Sequence, residues 1–348
     1  MPRPDTDSEV VLATVSRSGR RESWHRGAVA VWHDGDLLFG AGMVDRPVFC
    51  RSAVKPFQAL PLFERGVVER LGLTTGEIAV LCASHDGTPL HVAVVRTFLA
   101  RGSFGERQLG CGPHAPFDPA ARSALLLAGQ KPQKVHNNCS GKHTGFLHLA
   151  RDCGDDLDGY LASDNHSQGE VHAAIAAMAG VTAPIPLGTD GCGAPTFELP
   201  LSALARAFAR LANPIGLPAV RSAACRAILH AAGAEPELLA GPTRFCTALL
   251  RTQPGRMFAK NGAEGVYAVG LAPDPARRRC PGGVGIAIKV QDGSERAYQP
   301  VVVDLLLALG CWPQVPQSLC DWHVQPLRNT RGEPTGEVRC AVDWSGLR

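Results

Sequence analysis

The chain has no Cys-x-x-Cys pair, no apolar run of membrane-spanning length, no internal repeat, and no stretch where basic residues alternate with aromatics. Without the first, its twelve cysteines form no compact framework, and a chain of 348 residues does not need disulfide staples. The missing apolar run argues against a membrane span. A net charge of only +3 gives no reason to expect nucleic acid or a membrane surface as partner. The start, Met1 to Asp7, lacks the apolar core of a signal peptide, so a cytoplasmic protein is expected. Charged residues are few, 19% against 45% hydrophobic, which excludes a disordered chain and allows a substantial core. The length suits one large two-lobed domain.

Val10 to Val15 reads as a first strand, after a polar arm over residues 1–8. Ala28 to Trp32 and Leu37 to Gly40 flank an Asp-Gly pair and read as a β-hairpin. Helical spacing follows over 56–66, with Pro61 positioned to break it, and over 90–100, 121–129, 170–179, 201–211, 219–232 and 236–239. Strands return at 265–271 and 284–291, then a turn at Asp292-Gly293 and a helix at 301–310. Arg277-Arg278-Arg279 reads as a solvated loop. Strands at both ends around a helical middle predict an α+β fold, an antiparallel sheet built from both chain ends with a helical lobe. The sheet lobe is expected at about 9–55 and 258–310 and the helical lobe at about 56–257, with 315–348 unassigned.

The chemistry begins at Ser52-Ala53-Val54-Lys55-Pro56. A serine and a lysine three residues apart share one helix face, and a desolvated lysine can take the serine proton. Ser84, in Cys82-Ala83-Ser84-His85-Asp86-Gly87, follows the apolar run Ile78 to Leu81. Lys260-Asn261-Gly262 precedes the strand at Val266. Ser-x-x-Lys, a loop serine and Lys-x-Gly, in that order, form the three-part site of penicillin-binding enzymes and serine β-lactamases. A site of Ser52, Ser84 and Lys260 is expected in a cleft between sheet and helical lobe.

A second cluster joins Val135 to Gly145, which contains Cys139, Lys142 and His143, with the glycine-rich Gly188 to Pro195, which contains Asp190 and Cys192. Two thiolates with a nitrogen donor, His143 or Lys142, could hold zinc. The plainer alternative is two buried thiols in tight loops. Cys50, Cys111, Cys153, Cys225, Cys311, Cys320 and Cys340 read as buried free thiols.

Arg51 to Pro56, Cys82 to His85, Asn138 to His143 and Gly188 to Cys192 together resemble the Rhizobium etli-type L-asparaginases, the inducible, thermolabile bacterial type. The resemblance runs from about Glu22 to Lys289. It implies a fold like that of serine β-lactamases and glutaminases, and hydrolysis of L-asparagine to L-aspartate and ammonia by a homodimer. It makes Ser52 with Lys55 one Ser-Lys pair and Ser84 with Lys260 a second. It implies one zinc ion on Cys139, Lys142 and Cys192, and substrate contacts from Arg51, Asp190 and His143. Cys246 matches a cysteine near the family's site and takes no stated role.

The implied mechanism is acyl transfer: Ser52 attacks the carboxamide, Lys55 is its base, and Ser84 with Lys260 relays a proton to leaving ammonia. Activity should then rise toward alkaline pH, because free lysine titrates near ~10.4 and a base must be neutral. Two alternatives compete. A penicillin-recognising peptidase or esterase would keep the serines and lysines without needing the cysteine motifs. A non-catalytic zinc or amino-acid binding protein would reverse that emphasis.

Overall fold

The computed structural model describes residues 8–347, so the arm expected over 1–8 lies outside them apart from Ser8. In chain order the strands are β1 (Val10–Arg17), β2 (Arg20–His33), β3 (Asp36–Ala41), β4 (Pro47–Phe49), β5 (Leu187–Thr189) and β6 (Pro195–Pro200). Then come β7 (Met257–Asn261), β8 (Val266–Leu271), β9 (Val284–Val290), β10 (Val324–Arg328) and β11 (Pro334–Cys340). The chain divides into two units, one containing residues up to Ala53, Leu199–Asn213 and everything from Phe258 onward. The other is Val54–Glu198 with Pro214–Met257.

The first unit is built on an eight-stranded sheet in the order β10-β11-β1-β2-β9-β8-β7, with β3 also paired to β2. Strands from both chain ends therefore form one antiparallel sheet, as the strand distribution predicts. Two-residue turns set its hairpins. Asp34 and Gly35 both have positive φ, 46° and 96°, between the paired His33 and Asp36. Ser18 and Gly19, at 47° and 76°, make an equivalent turn between β1 and β2 that the sequence reading passed over. The segment left unassigned, 315–348, contributes β10 and β11, and Ala13 of β1 pairs with Cys340.

All six residues of β8 are buried. Successive side chains in a strand point to opposite faces, so both faces of the sheet are covered there. One cover is the helix Leu201–Ala212, which belongs to this unit although its sequence lies within the helical middle. Its approach depends on two cross-strand partners, Gly270 and Gly285. A Cβ on Gly285 would meet Ala205 O at 1.8 Å, and one on Gly270 would meet Phe208 O at 2.6 Å. Glu295–Ala308 packs against β1, β9 and β11 and carries Pro300 inside it, so the helix begins before the proline that marked its expected start. Arg277 corrects the solvated-loop expectation: it is buried, and its guanidinium donates to the carbonyls of Ala272, Cys280 and Gly282.

The second unit is mainly helical. The segment 56–66 forms two short helices, Lys55–Gln58 and Leu60–Glu64, each with a proline in its first turn. Ser140–Cys153, whose first turns fall in the Val135–Gly145 stretch read as a tight loop, is a helix, while β5 and β6 pair as a hairpin around 190–194. All twelve cysteines are free; Cys153, Cys311, Cys320 and Cys340 are only half-buried, which corrects their expected burial. Among the described residues no helix is long and apolar enough to cross a membrane.

Gly285→Ala should lower unfolding stability by about 1–3 kcal/mol, because the helix Leu201–Ala212 must lift from the sheet. Gly169→Ala, in a helix with no atom near the new methyl, should instead stabilise by about 0.5–1 kcal/mol. Urea denaturation of both variants checks the pair, and equal effects would remove the close-approach explanation.

Candidate active site

The candidate residues in the helical unit are positioned by two helix ends. Thr74 caps the helix Thr75–Leu81: its hydroxyl accepts from Glu77 N at 3.3 Å, and Glu77 Oε2 accepts from Thr74 N at 2.7 Å. The helix then releases Ala83 and Ser84 into a buried loop. Against it lies the start of Ser140–Cys153. A Cβ on Gly141 would meet Val80 O at 2.2 Å, and one on Gly145 would meet Leu81 Cδ1 at 2.2 Å. The glycines that suggested a loop are therefore what let the two helices touch.

Lys55 is 1% exposed, and its Nζ donates to Ala83 O, to Ser84 Oγ at 3.1 Å and to Cys139 Sγ at 3.2 Å. Three acceptors thus surround the Lys55 nitrogen. The Ser-Lys element and the thiol cluster, separate in the sequence, thus share this lysine. Lys142, also buried, donates to Cys192 Sγ at 3.2 Å and lies over the Phe146 ring. Burial works against the Lys142 charge, but Cys192, Cys139 and Asp190 outweigh it and hold its pKa above the ordinary lysine value.

The two thiols share one negative charge. A hydrogen bond from Cys192, aided by Lys55 and Lys142, holds Cys139 well below the usual thiol pKa despite its burial. The same hydrogen bond, followed by burial, pushes Cys192 upward. Cys139, Cys192 and the Asp190 carboxylate offer ligand atoms that all lie within 4.8 Å of one another. That donor set suits zinc. Asp190 stands at the hairpin turn, where its backbone N–H donates to Ala194 O at 2.8 Å.

The remaining candidates fall in several places. Ser52 is half-buried on the turn Arg51–Val54, and Arg51 has a positive φ of 52°, a strained value for a side chain of its size. Lys260 is buried on β7 and donates to Asn261 O at 2.9 Å and Asn261 Oδ1 at 3.3 Å. A Cβ on the following Gly262 would meet Cys50 O at 2.7 Å, so the end of β7 runs beside the segment leading to Ser52. Cys246 is buried near the start of the helix Phe245–Thr252.

His143 is fully buried. Tyr160, which nothing in the sequence singled out, fixes its orientation: Tyr160 Oη accepts from Gly110 N at 2.6 Å and is hydrogen-bonded to His143 Nδ1 at 2.7 Å. His143 Nε2 has no hydrogen-bond partner among the described residues. His85 is likewise fixed, accepting from Gly87 N at Nδ1 and donating from Nε2 to Ser140 Oγ at 2.9 Å. Burial first, and then nearby cations and imidazoles, holds both histidines below the usual range, so both are neutral at pH 7.

A sequence profile described as L-asparaginase II matches residues 13–340. No curated protein matches the chain in sequence. Among solved structures, that of Mglu in its native form is similar over 78% of this chain, with 16% sequence identity and a TM-score of 0.40. The chain spans 60% of the length of that structure.

Asp86, two residues beyond Ser84, yields a pH prediction. Burial raises its carboxyl to about 6, against the opposing pull of Arg244 at 3.7 Å. The folded state therefore binds this proton more tightly than the unfolded chain, and stability falls as pH rises through about 4 to about 6. Asp86→Asn should flatten that slope and raise stability at pH 7 by on the order of 2–3 kcal/mol. Urea titrations at pH 4 and pH 7 check it; an unchanged slope would mean that Arg244 neutralises the carboxylate.

Proposed function

Because the chain belongs to the L-asparaginase II family, we propose that it hydrolyses the side-chain amide of L-asparagine to L-aspartate and ammonia. The observation that carries a Ser-Lys mechanism is the buried Lys55 Nζ at 3.1 Å from Ser84 Oγ, three residues after Ser52. Neutral Lys55 takes the Ser52 proton as Ser52 Oγ bonds to the carboxamide carbon. Collapse of the tetrahedral adduct breaks the C–N bond, and Ser84, with Lys260, passes a proton to the departing nitrogen. Water gives a proton to the relay as its oxygen bonds to the ester carbon, the Ser52 Oγ–C bond breaks as Oγ retakes the proton held by Lys55, and aspartate is freed. The 3.1 Å contact also favours a second reading, in which Ser84 attacks and Ser52 relays.

Cys139, Cys192 and Lys142, the last once its amine has given up its proton, would hold the zinc ion, with Asp190 beside them. When bound, it would supply a positive grip on the substrate's carboxylate or amino end, since the serines and lysines already supply nucleophile and base. Arg51, Asp190 and His143 would complete the contacts to asparagine. The two units act in this proposal as one catalytic domain, in a cytoplasmic homodimer.

Ammonia release from asparagine and glutamine, with β-lactam hydrolysis measured beside it, tests the assignment. Asparagine should be strongly preferred: a pocket holding both α-groups misplaces the glutamine carbonyl, and about 1 Å of misplacement costs roughly a hundredfold. Lys55→Ala should lower turnover at least roughly a thousandfold. Mass spectrometry of acyl-enzyme in Ser52→Ala and Ser84→Ala separates the two serines; near-normal turnover in Ser52→Ala would remove it as nucleophile.

Zinc gives an independent readout. Cys139→Ser combined with Cys192→Ser should remove one equivalent of zinc per chain by elemental analysis. Undiminished zinc in that double variant would sink the assignment.

A further inference from the structure

A second group of metal-binding side chains meets in the helical unit, and it shares no residue with the thiol–lysine cluster. The helix Ser140–Cys153 ends on Cys153, where Gly154 (φ 76°) turns the chain away. Asp155 Oδ2 accepts from Ser167 N at 2.8 Å, which ties this helix end to the start of His166–Ala179. On that second helix His166 and Glu170 are one turn apart and face the same way, with Nε2 and Oε1 3.3 Å apart. Cys153, His166 and Glu170 offer one ligand atom each, all within 4.8 Å of one another. Cys153 and Glu170 are half-buried and His166 is exposed, so one side of the group is open to solvent.

The surroundings orient the group. Arg65 Nη1 donates to Glu170 Oε1 at 2.7 Å, while its Nε donates to Asp152 Oδ2 at 2.5 Å. Ligating carboxylates are commonly held in this way by a neighbouring donor. In the sequence Cys153 reads only as a buried free thiol because His166 and Glu170 lie on a different helix, more than a dozen positions away.

We propose that Cys153, His166 and Glu170 form a second binding site for a divalent, borderline-soft cation of the zinc class. A thiolate, an imidazole and a carboxylate are donors that such an ion accepts and that magnesium and calcium do not select. On binding, the Cys153 S–H bond gives its proton to solvent and a sulfur–metal bond forms. His166 contributes the Nε2 lone pair, Glu170 a carboxylate oxygen and water the fourth ligand, with no change of oxidation state. The thiolate and carboxylate match the two charges of the ion, while Asp152 stays paired with both Arg65 and Arg70. The open side and the exposed imidazole make this an exchangeable site. The proposal does not depend on the asparaginase activity or on zinc at Cys139.

The test counts zinc in the full-length protein after equilibration with excess zinc and removal of the free ion. His166→Ala and Cys153→Ser should each bind one equivalent less than the unmodified protein, whatever its total. Cobalt supplies a second measurement, because a thiolate–cobalt charge-transfer band reports sulfur ligation directly. That band should persist in the Cys139→Ser/Cys192→Ser variant and disappear when Cys153→Ser is added. If Cys153→Ser fails to fold, the exposed His166→Ala carries the count alone. An unchanged zinc count in His166→Ala, or no cobalt–thiolate band in the Cys139→Ser/Cys192→Ser variant, would overturn the site.

Discussion

Two lysines with almost no contact with solvent need hydrogen-bond partners built in beside them. Lys55 and Lys142 are 1% and 2% exposed, and the interior answers with the Cys139 and Cys192 sulfurs and the Asp190 carboxylate. Much of the local architecture follows from that demand. Cys139 must reach Lys55, so the helix that begins beside it must press against Thr75–Leu81, and only glycine at 141 allows the approach. Cys192 and Asp190 must come from elsewhere in the chain, and the β5–β6 hairpin delivers both on one turn. Removing a single partner from such a group leaves a buried charge uncompensated, the costliest kind of local defect.

The shared lysine joins two chemistries that look independent in the sequence. Whatever alters Cys139 changes one of the three acceptors of Lys55, and Ser84 is another. The serine loop and the thiol cluster are thus in contact through one lysine nitrogen. His143 adds a third element. Its ring is oriented by Tyr160, whose own hydroxyl is pinned by a backbone amide of Gly110.

Features governed by near neighbours were legible in the sequence. The Ser52–Lys55 spacing, the Asp34-Gly35 hairpin and the strand character of 266–271 and 284–290 all depend on residues close in the chain. What stayed hidden depends on distant partners. The stretch 140–145 read as part of a loop because Gly141 and Gly145 weaken helix propensity, and the benefit of small residues appears only once Val80 and Leu81 stand opposite. Tyr160, Arg277 and Asp86 carry no local signal, since each matters through atoms that folding brings to it. The helix Leu201–Ala212 is amphipathic and easily found, yet only the Gly270–Gly285 pair says which sheet it covers.

The place of β11 beside β1 has a kinetic meaning. Ser16 and Glu337, joined by a hydrogen bond in that ladder, are 321 residues apart. Closing so long a loop costs entropy before any contact repays it, so such pairings form late. During synthesis β1 and β2 emerge first and must wait for β9, β8 and finally β11. Until then the β1 backbone groups that will face β11 are an unpaired edge, the kind of surface on which other strands can add. The helical unit, with many contacts between helices near in sequence, can consolidate during that wait. The growing chain is therefore most open to aggregation at its oldest end, and stays so until its last strand arrives.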